Sequence, residues 1–271
     1  MTFSPTLVCV HAHPDDEALF TAGISLHYAG LGYSVVLVTC THGQLGFDAR
    51  AREGDDPEHD DTATRITRAG ELQRAAMLAG FTRCVNLGYD DSGMKGWAQN
   101  DRPNAFVNVD VEATARTLAA LFDEVHATVV VTYDENGFYG HPDHVTANVV
   151  TQRAVALASS PERLYYPVVP QSILTKFVPD ARALEMFLPA WVLEAGIGVP
   201  DDQVSSTIDA TEYASRKQAA IAAHVSQIDN ADLATMDHDM FLALFGTEYY
   251  HRAWSRTPAG GDATDLFGGL S

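Results

Sequence analysis

Short apolar runs rich in β-branched residues alternate with stretches of helical period, and no other feature limits the choice of fold so strongly. The runs "TLVCVHA" (6–12), "SVVLVTCT" (34–41), "RCVNLG" (83–88), "TVVVTYD" (128–134) and "RLYYPVVP" (163–170) read as strands. Between them, residues 16–30, 64–81, 111–127 and 143–158 read as helices, and Gly30 and Gly80 stand where two of these would stop. On the 64–81 helix the apolar face falls to Ile66, Leu72, Ala76 and Leu78. Strands joined through helices pair in parallel, because each crossover returns the chain to the same end of the sheet. The pattern predicts a layered α/β fold.

Composition narrows the partners rather than the fold. The 271-residue chain carries 36 Asp and Glu against 17 Lys and Arg, a formal charge of −19. Nucleic-acid backbones and anionic membranes repel such a chain, so neither is an expected partner. No apolar stretch reaches the roughly 18 residues that span a bilayer. No basic region precedes the short N-terminal apolar run, as a secretory signal would require. Cys9, Cys40 and Cys84 lie in or beside strand-like segments without a C-x-x-C spacing, and read as buried free thiols in a reducing cytoplasm. Residues 42–61 read as a solvated, mobile loop, with a lid as the alternative because the segment follows a strand's C-terminal end. One domain is expected over 1–256, with 257–271 as a flexible tail.

The chemistry-bearing residues cluster in two turns. His13-Pro14-Asp15-Asp16 follows the first strand, and His141-Pro142-Asp143-His144 follows the fourth after a short glycine-bearing loop. Both lie past the C-terminal end of a buried strand, where open α/β sheets bind ligands. Each H-P-D admits a plain reading as a helix start, with proline at the first helical position followed by an acid. Two copies at equivalent positions instead bring His13, Asp16 and His144 to one point, a set that suits a divalent ion. Such an ion offsets the repulsion among Asp15, Asp16 and Glu17 and leaves Asp15 available as a base. The stretch from His11 to Asp16 also approaches the H-x-H-x-D-H pattern of metallo-β-lactamase-type hydrolases, but Asp16 stands where the final histidine belongs. H-x-H after a first strand fits a metal-dependent amidohydrolase barrel, for which eight strand–helix units are hard to find.

"VHAHPDDE" (10–17) together with "TYDENGFYGHPDH" (132–144) resembles the LmbE-like, PIG-L-type zinc N-deacetylases, and within them the deacetylase and S-conjugate amidase of mycothiol chemistry. The likeness runs over 6–158 and resumes at 217–228. It implies a Rossmann-like single α/β domain, a mostly parallel sheet with helices on both faces, and a metal site at the C-terminal edge of the strands. It implies zinc on His13, Asp16 and His144, ligands that iron(II) also suits. By the same resemblance Asp15 is the general base, and Tyr139 polarises the carbonyl. His141 steadies the oxyanion or protonates the departing amine, with Asp143 as its orienting partner. Arg68 and Asp91 resemble positions that contact the sugar-linked group and the glucosamine hydroxyls. His224 matches a position near the site, although a lone histidine on a helix reads as structural.

The implied activity is hydrolysis of the N-acetyl amide of an N-acetylglucosaminyl small molecule by a cytoplasmic enzyme. Thr41-His42-Gly43-Gln44-Leu45-Gly46-Phe47 stands where the family usually has a glycine–glutamate turn, so Gln44 and Phe47 depart from the pattern for an inositol-bearing substrate. Ala18-Leu19-Phe20 lacks the lysine of the conjugate-amidase branch, which points toward the deacetylase. Two alternatives stand beside this: an amidase for larger acyl-glucosamine conjugates, and a metal- or sugar-binding protein without turnover. Pure binding would leave Asp15 without a use.

Overall fold

The β-branched runs become the centre of one sheet. The computed structural model describes residues 5–177, 197–257 and 263–270. Its strands are β1 (Thr6–His11), β2 (Ser34–Thr41), β3 (Arg83–Tyr89), β4 (Ala127–Val131), β5 (Arg163–Val168), β6 (Ser206–Asp209) and β7 (Thr247–Ser255). They lie in the order β3-β2-β1-β4-β5-β7-β6. The first five are parallel, while β7 runs antiparallel to both β5 and β6. The sheet is Rossmann-like as expected, with an antiparallel ribbon added at one edge.

Period-two alternation sends Leu7 and Cys9 of β1 to one face and Val8 and Val10 to the other. The first face is covered by α1 (Asp16–Phe20), α2 (Ala22–Gly30) and α3 (Asp61–Leu78), through residues such as Ala18, Ile24, Tyr28 and Ala75. The second is covered by α4 (Val111–Glu124) and α5 (Pro142–Leu157), through Leu118, Phe122, Val150 and Ala154. A further helix, α6 (Ala214–Ala222), joins the first face with Ala220 and Ile221. From β1 the chain crosses to β2 on one side, and from β4 to β5 on the other. The C-terminal ends of β1 and β4 therefore flank the crevice where strand order reverses.

Several expectations are corrected. The 16–30 helix is two helices that meet at Thr21. The inward side of α3 carries Thr64, Arg68 and Glu71 beside Ala75 and Ala76, while Ile66 is 70% exposed. Leu72, Ala76 and Leu78 pack on the core as expected, so the hydrophobic period fails at Ile66 alone, where the inward side turns to polar partners near the β1 turn. Cys84 is exposed because β3 is an edge strand. Residues 42–61 are pinned: Leu45 and Asp48 are buried, Asp48 pairs with Arg52 at 2.7 Å, and His59 Nε2 bonds the Gly46 carbonyl at 2.8 Å. The expected flexible tail is docked over 263–270, where Leu266 and Phe267 are buried and Arg163 donates to the Leu266 and Gly268 carbonyls at 2.7 Å each. Two apolar anchors among small residues suffice to seat that stretch; 258–262 and 271 lie outside the described residues. Among the described residues no helix is long and apolar enough to cross a membrane.

Candidate active site

The turns after β1 and β4 meet in the crevice. His144 Nε2 lies 3.3 Å from His13 Nδ1 and 3.4 Å from Asp16 Oδ1, and His13 Nδ1 lies 3.5 Å from Asp16 Oδ2. All three side chains are buried. The other nitrogen of each ring is committed elsewhere: His144 Nδ1–H donates to the Gly137 carbonyl at 3.2 Å, and His13 Nε2–H to Asp143 Oδ2 at 3.2 Å. His144 Nε2, His13 Nδ1 and the Asp16 carboxylate are left facing one another, an arrangement that a proton on His13 or a cation between the three can satisfy. Donors on a tetrahedral ion at about 2.0–2.1 Å stand about 3.3–3.4 Å apart, close to the separations of His144 Nε2 from His13 Nδ1 and from Asp16 Oδ1. The donor set fits a divalent metal.

Neighbouring groups enforce that geometry. Asp16 Oδ2 accepts from the Tyr133 hydroxyl and from the His13 N–H, both at 2.7 Å. The Tyr133 ring stacks on His144 at 4.0 Å between centroids and 14° between planes. Gly137 has φ +63°, and a Cβ there would stand 2.7 Å from the Val145 nitrogen, so only glycine brings its carbonyl onto His144. Burial lowers the basicity of His13, but Asp91, Asp143 and Asp16 outweigh it and hold its pKa well above the usual histidine range. Burial raises Asp16, yet His144 and His13 hold it well below the carboxylate range. Burial brings His144 down to about 4.

Beside the triangle, Asp15 adopts φ +120°, a conformation rarely taken by a residue with a side chain. Its Oδ2 lies 3.2 Å from Arg68 and accepts from Asn230 Nδ2 at 3.3 Å. Burial pushes its pKa up to about 6 against the pull of the Arg68 guanidinium. Arg68 also donates to the Gly43 carbonyl at 2.7 Å and to the Pro14 carbonyl, so the expected substrate contact is first a tie between two loops and Asp15. Asp91 Oδ1 lies 3.5 Å from His13 Nε2 and accepts from the Gly93 N–H at 2.8 Å.

His141 caps α5, its Nδ1 accepting the Asp143 N–H at 3.1 Å. Burial and the neighbouring His13 and His144 hold its pKa well below the usual range, so the neutral ring carries its proton on Nε2. The expected orienting role of Asp143 toward His141 is corrected. Its carboxylate crosses to the β1 turn and accepts from His13 Nε2 and from the Ser92 N–H at 2.9 Å, meeting His141 through backbone alone. The Tyr139 ring lies 4.9 Å from that of His144. His11 turns into the core with Nε2 2.8 Å from Thr21 Oγ1, so the H-x-H pattern is not a ligand pair.

These groups open into a cavity of about 980 Å³, lined by His13, Asp15, Arg68, Asp91, Tyr139 and His141 and by apolar residues such as Phe20, Val168, Leu244 and Phe245. Sequence reasoning missed Tyr133, Glu17, Asn230 and the contact of His224 with Glu17 at 2.7 Å. The likeness at 217–228 was the one trace of His224.

A family model described as PIG-L: GlcNAc-PI de-N-acetylase matches residues 8–155, more than half of the chain. The chain belongs to the PIG-L family. A curated relative from Salinispora arenicola, 1D-myo-inositol 2-acetamido-2-deoxy-alpha-D-glucopyranoside deacetylase, is 39% identical to this PIG-L chain over 97% of it and 91% of the relative. Among solved structures, N,N'-diacetylchitobiose deacetylase from Pyrococcus horikoshii matches with a TM-score of 0.60 at 17% identity, over 92% of this chain and 84% of that one. GalB, the 4-carboxy-2-hydroxymuconate hydratase from Pseudomonas putida, matches at 0.61 and 17% identity, over 95% of this chain and 100% of that one. A deacetylase and a hydratase share this architecture, so the structural likeness establishes the fold alone.

Proposed function

We propose that this protein hydrolyses the N-acetyl amide of an N-acetylglucosaminyl small molecule, with zinc held by His13, Asp16 and His144. The observation that carries the reading is the convergence of two imidazole nitrogens and Asp16 beside an acid whose pKa burial raises to about 6. The family and the deacetylase relatives support the same chemistry. Zinc, when bound, supplies Lewis-acid polarisation of the amide carbonyl and lowers the pKa of water to about 7. Asp15 accepts the proton of the attacking water while Arg68 and Asn230 steady its Oδ2. Neutral His141 presents Nε2–H as a hydrogen bond to the developing oxyanion, and the proton that Asp15 takes from water is the one available to the departing amine. Burial and the negative charge of Asp16 hold the Tyr139 pKa well above the usual range, so its hydroxyl keeps a proton to donate to the same oxygen. Asp91 suits sugar hydroxyls as an ionised acceptor, because His13 outweighs burial and holds its pKa well below the usual range. Asp143 serves as the orienting partner of His13. The free cysteines support a reducing, cytoplasmic setting.

Inositol as the sugar's partner is supported by the relative's activity, but Gln44 is used internally, accepting the Asp91 N–H at 3.1 Å, and Phe47 lines the cavity. The test offers zinc-loaded protein a mixture of N-acetylglucosaminyl-inositol, a cysteinyl-glucosaminyl-inositol S-conjugate and a plain N-acetylglucosaminide, read by mass spectrometry. Loss of acetyl from the inositol compound is expected, and cleavage of none of the three overturns the reading. The apolar part of the cavity lining favours a second reading, an amidase for larger acyl-glucosamine conjugates, which cleavage of the conjugate alone would select.

A further inference from the structure

The pair formed by Glu17 and His224 lies outside the cavity yet touches the proposed base. Glu17 is fully buried and His224 nearly so, and neither is among the residues that line the cavity. Glu17 Oε2 accepts the Asp15 N–H at 2.9 Å, and its Oε1 bonds His224 Nε2 at 2.7 Å. Asp15 is the residue at φ +120° and the N-cap of α1. An aspartate at an N-cap ordinarily bonds the helix's first N–H groups with its own carboxylate. Asp15 makes no such bond, and its carboxylate turns instead to Arg68 and Asn230. A glutamate just inside a helix that reaches back to the N-cap N–H is half of a capping box. Here that half is kept by Glu17, and the other half is withheld.

We infer that Glu17, seated by His224, is a positioning residue: it holds the Asp15 backbone in its left-handed conformation, so that the Asp15 carboxylate faces the cavity instead of capping α1. The inference rests on the proposed role of Asp15 as base. Glu17 touches neither substrate nor the reacting atoms, and its influence passes through Asp15 alone. Glutamine at position 17 preserves the contact, because its carbonyl still accepts the Asp15 N–H. Among the described residues His224 Nδ1 has no hydrogen-bond partner, so the ring can carry its proton there and offer a bare Nε2 to the amide.

The test is a double-mutant cycle on zinc-loaded enzyme, with kcat, KM and bound zinc measured for each variant. Glu17→Ala is expected to lower kcat by at least about 30-fold, part of what a general base supplies, with KM within about threefold and zinc content unchanged. Glu17→Gln is expected to stay within about fivefold of the wild type. The double variant Glu17→Leu/His224→Leu removes both buried polar partners together, which avoids an unpaired histidine, and should match Glu17→Ala. In an Asp15→Ala background, Glu17→Ala should cost less than about twofold more, since coupled residues do not add. An equal fold loss with and without Asp15, or a kcat within threefold of wild type in both alanine and leucine variants, overturns the inference while leaving the deacetylase reading intact. A wild-type enzyme that cleaves no N-acyl glucosaminide overturns both.

Discussion

The two His-Pro-Asp turns begin with the same three residues and end in opposite conformations. After β4, His141 sits at φ −60°, accepts the Asp143 N–H and starts a 16-residue helix. After β1, Asp15 sits at φ +120°, caps nothing with its side chain and leads into a helix of five residues. Capping commits a side chain to its own helix. The second turn makes that commitment and carries the proposed ligand His144 on a regular helix. The first declines it, and the carboxylate set free is the proposed base. In the first turn the strained residue is the proposed base itself, while ahead of the second the positive φ falls on Phe138 (+65°) and leaves the His-Pro-Asp residues unstrained.

The largest expected effect breaks the strained turn. Asp15→Ala should lower kcat by about 10²–10⁴-fold with zinc content unchanged, as steady-state kinetics with metal analysis would show; loss of zinc would instead put Asp15 among the ligands. In the relaxed turn, Asp143→Ala should weaken zinc affinity about 10–100-fold in a chelator competition, because its carboxylate fixes the His13 ring. A fall in kcat at unchanged affinity would restore His141 as its partner. The pH profile bears on the same contrast. Asp15 must be ionised to accept a proton and its pKa is raised to about 6, so kcat/KM should be level above the limb and fall tenfold per unit below it. Zinc nearby favours the ionised form, which places the limb of the loaded enzyme at or below about 6. The smallest effect isolates the strain. In chemical denaturation Asp15→Gly should be more stable than Asp15→Ala by about 1–2 kcal/mol. The same exchange at His141 should separate the two by less than about 1 kcal/mol.

What the sequence revealed follows from where the signal is local. The central strands β1, β2 and β4 are legible because valine, leucine and threonine fill both faces of a buried sheet, β3 and β5 follow from the alternation with helices, and both turns are legible as contiguous tetrapeptides. The β6–β7 ribbon is not, since "STID" is short and "TEYYHRAWS" is mostly half-buried at the sheet's edge. On α3 the period found Leu72, Ala76 and Leu78 but not the buried Arg68 and Glu71, which bond the site loops and Ser226 rather than the core. Tyr133, His224 and Asn230 reach the site across 117, 207 and 215 residues of sequence, distances over which spacing carries no information. The aim of Asp143 was misjudged for a related reason: its neighbour in sequence is His141, while its carboxylate's partner lies 130 residues away.

The most direct test of the account is X-ray absorption at the zinc edge of the loaded protein, repeated on His144→Ala. Two imidazole nitrogens with oxygen donors completing the shell, and one imidazole fewer in the variant, are predicted. A third imidazole would place His141 on the metal and remove it as the oxyanion's hydrogen-bond donor. That result, or a sulfur donor from Cys40, would contradict the proposed site.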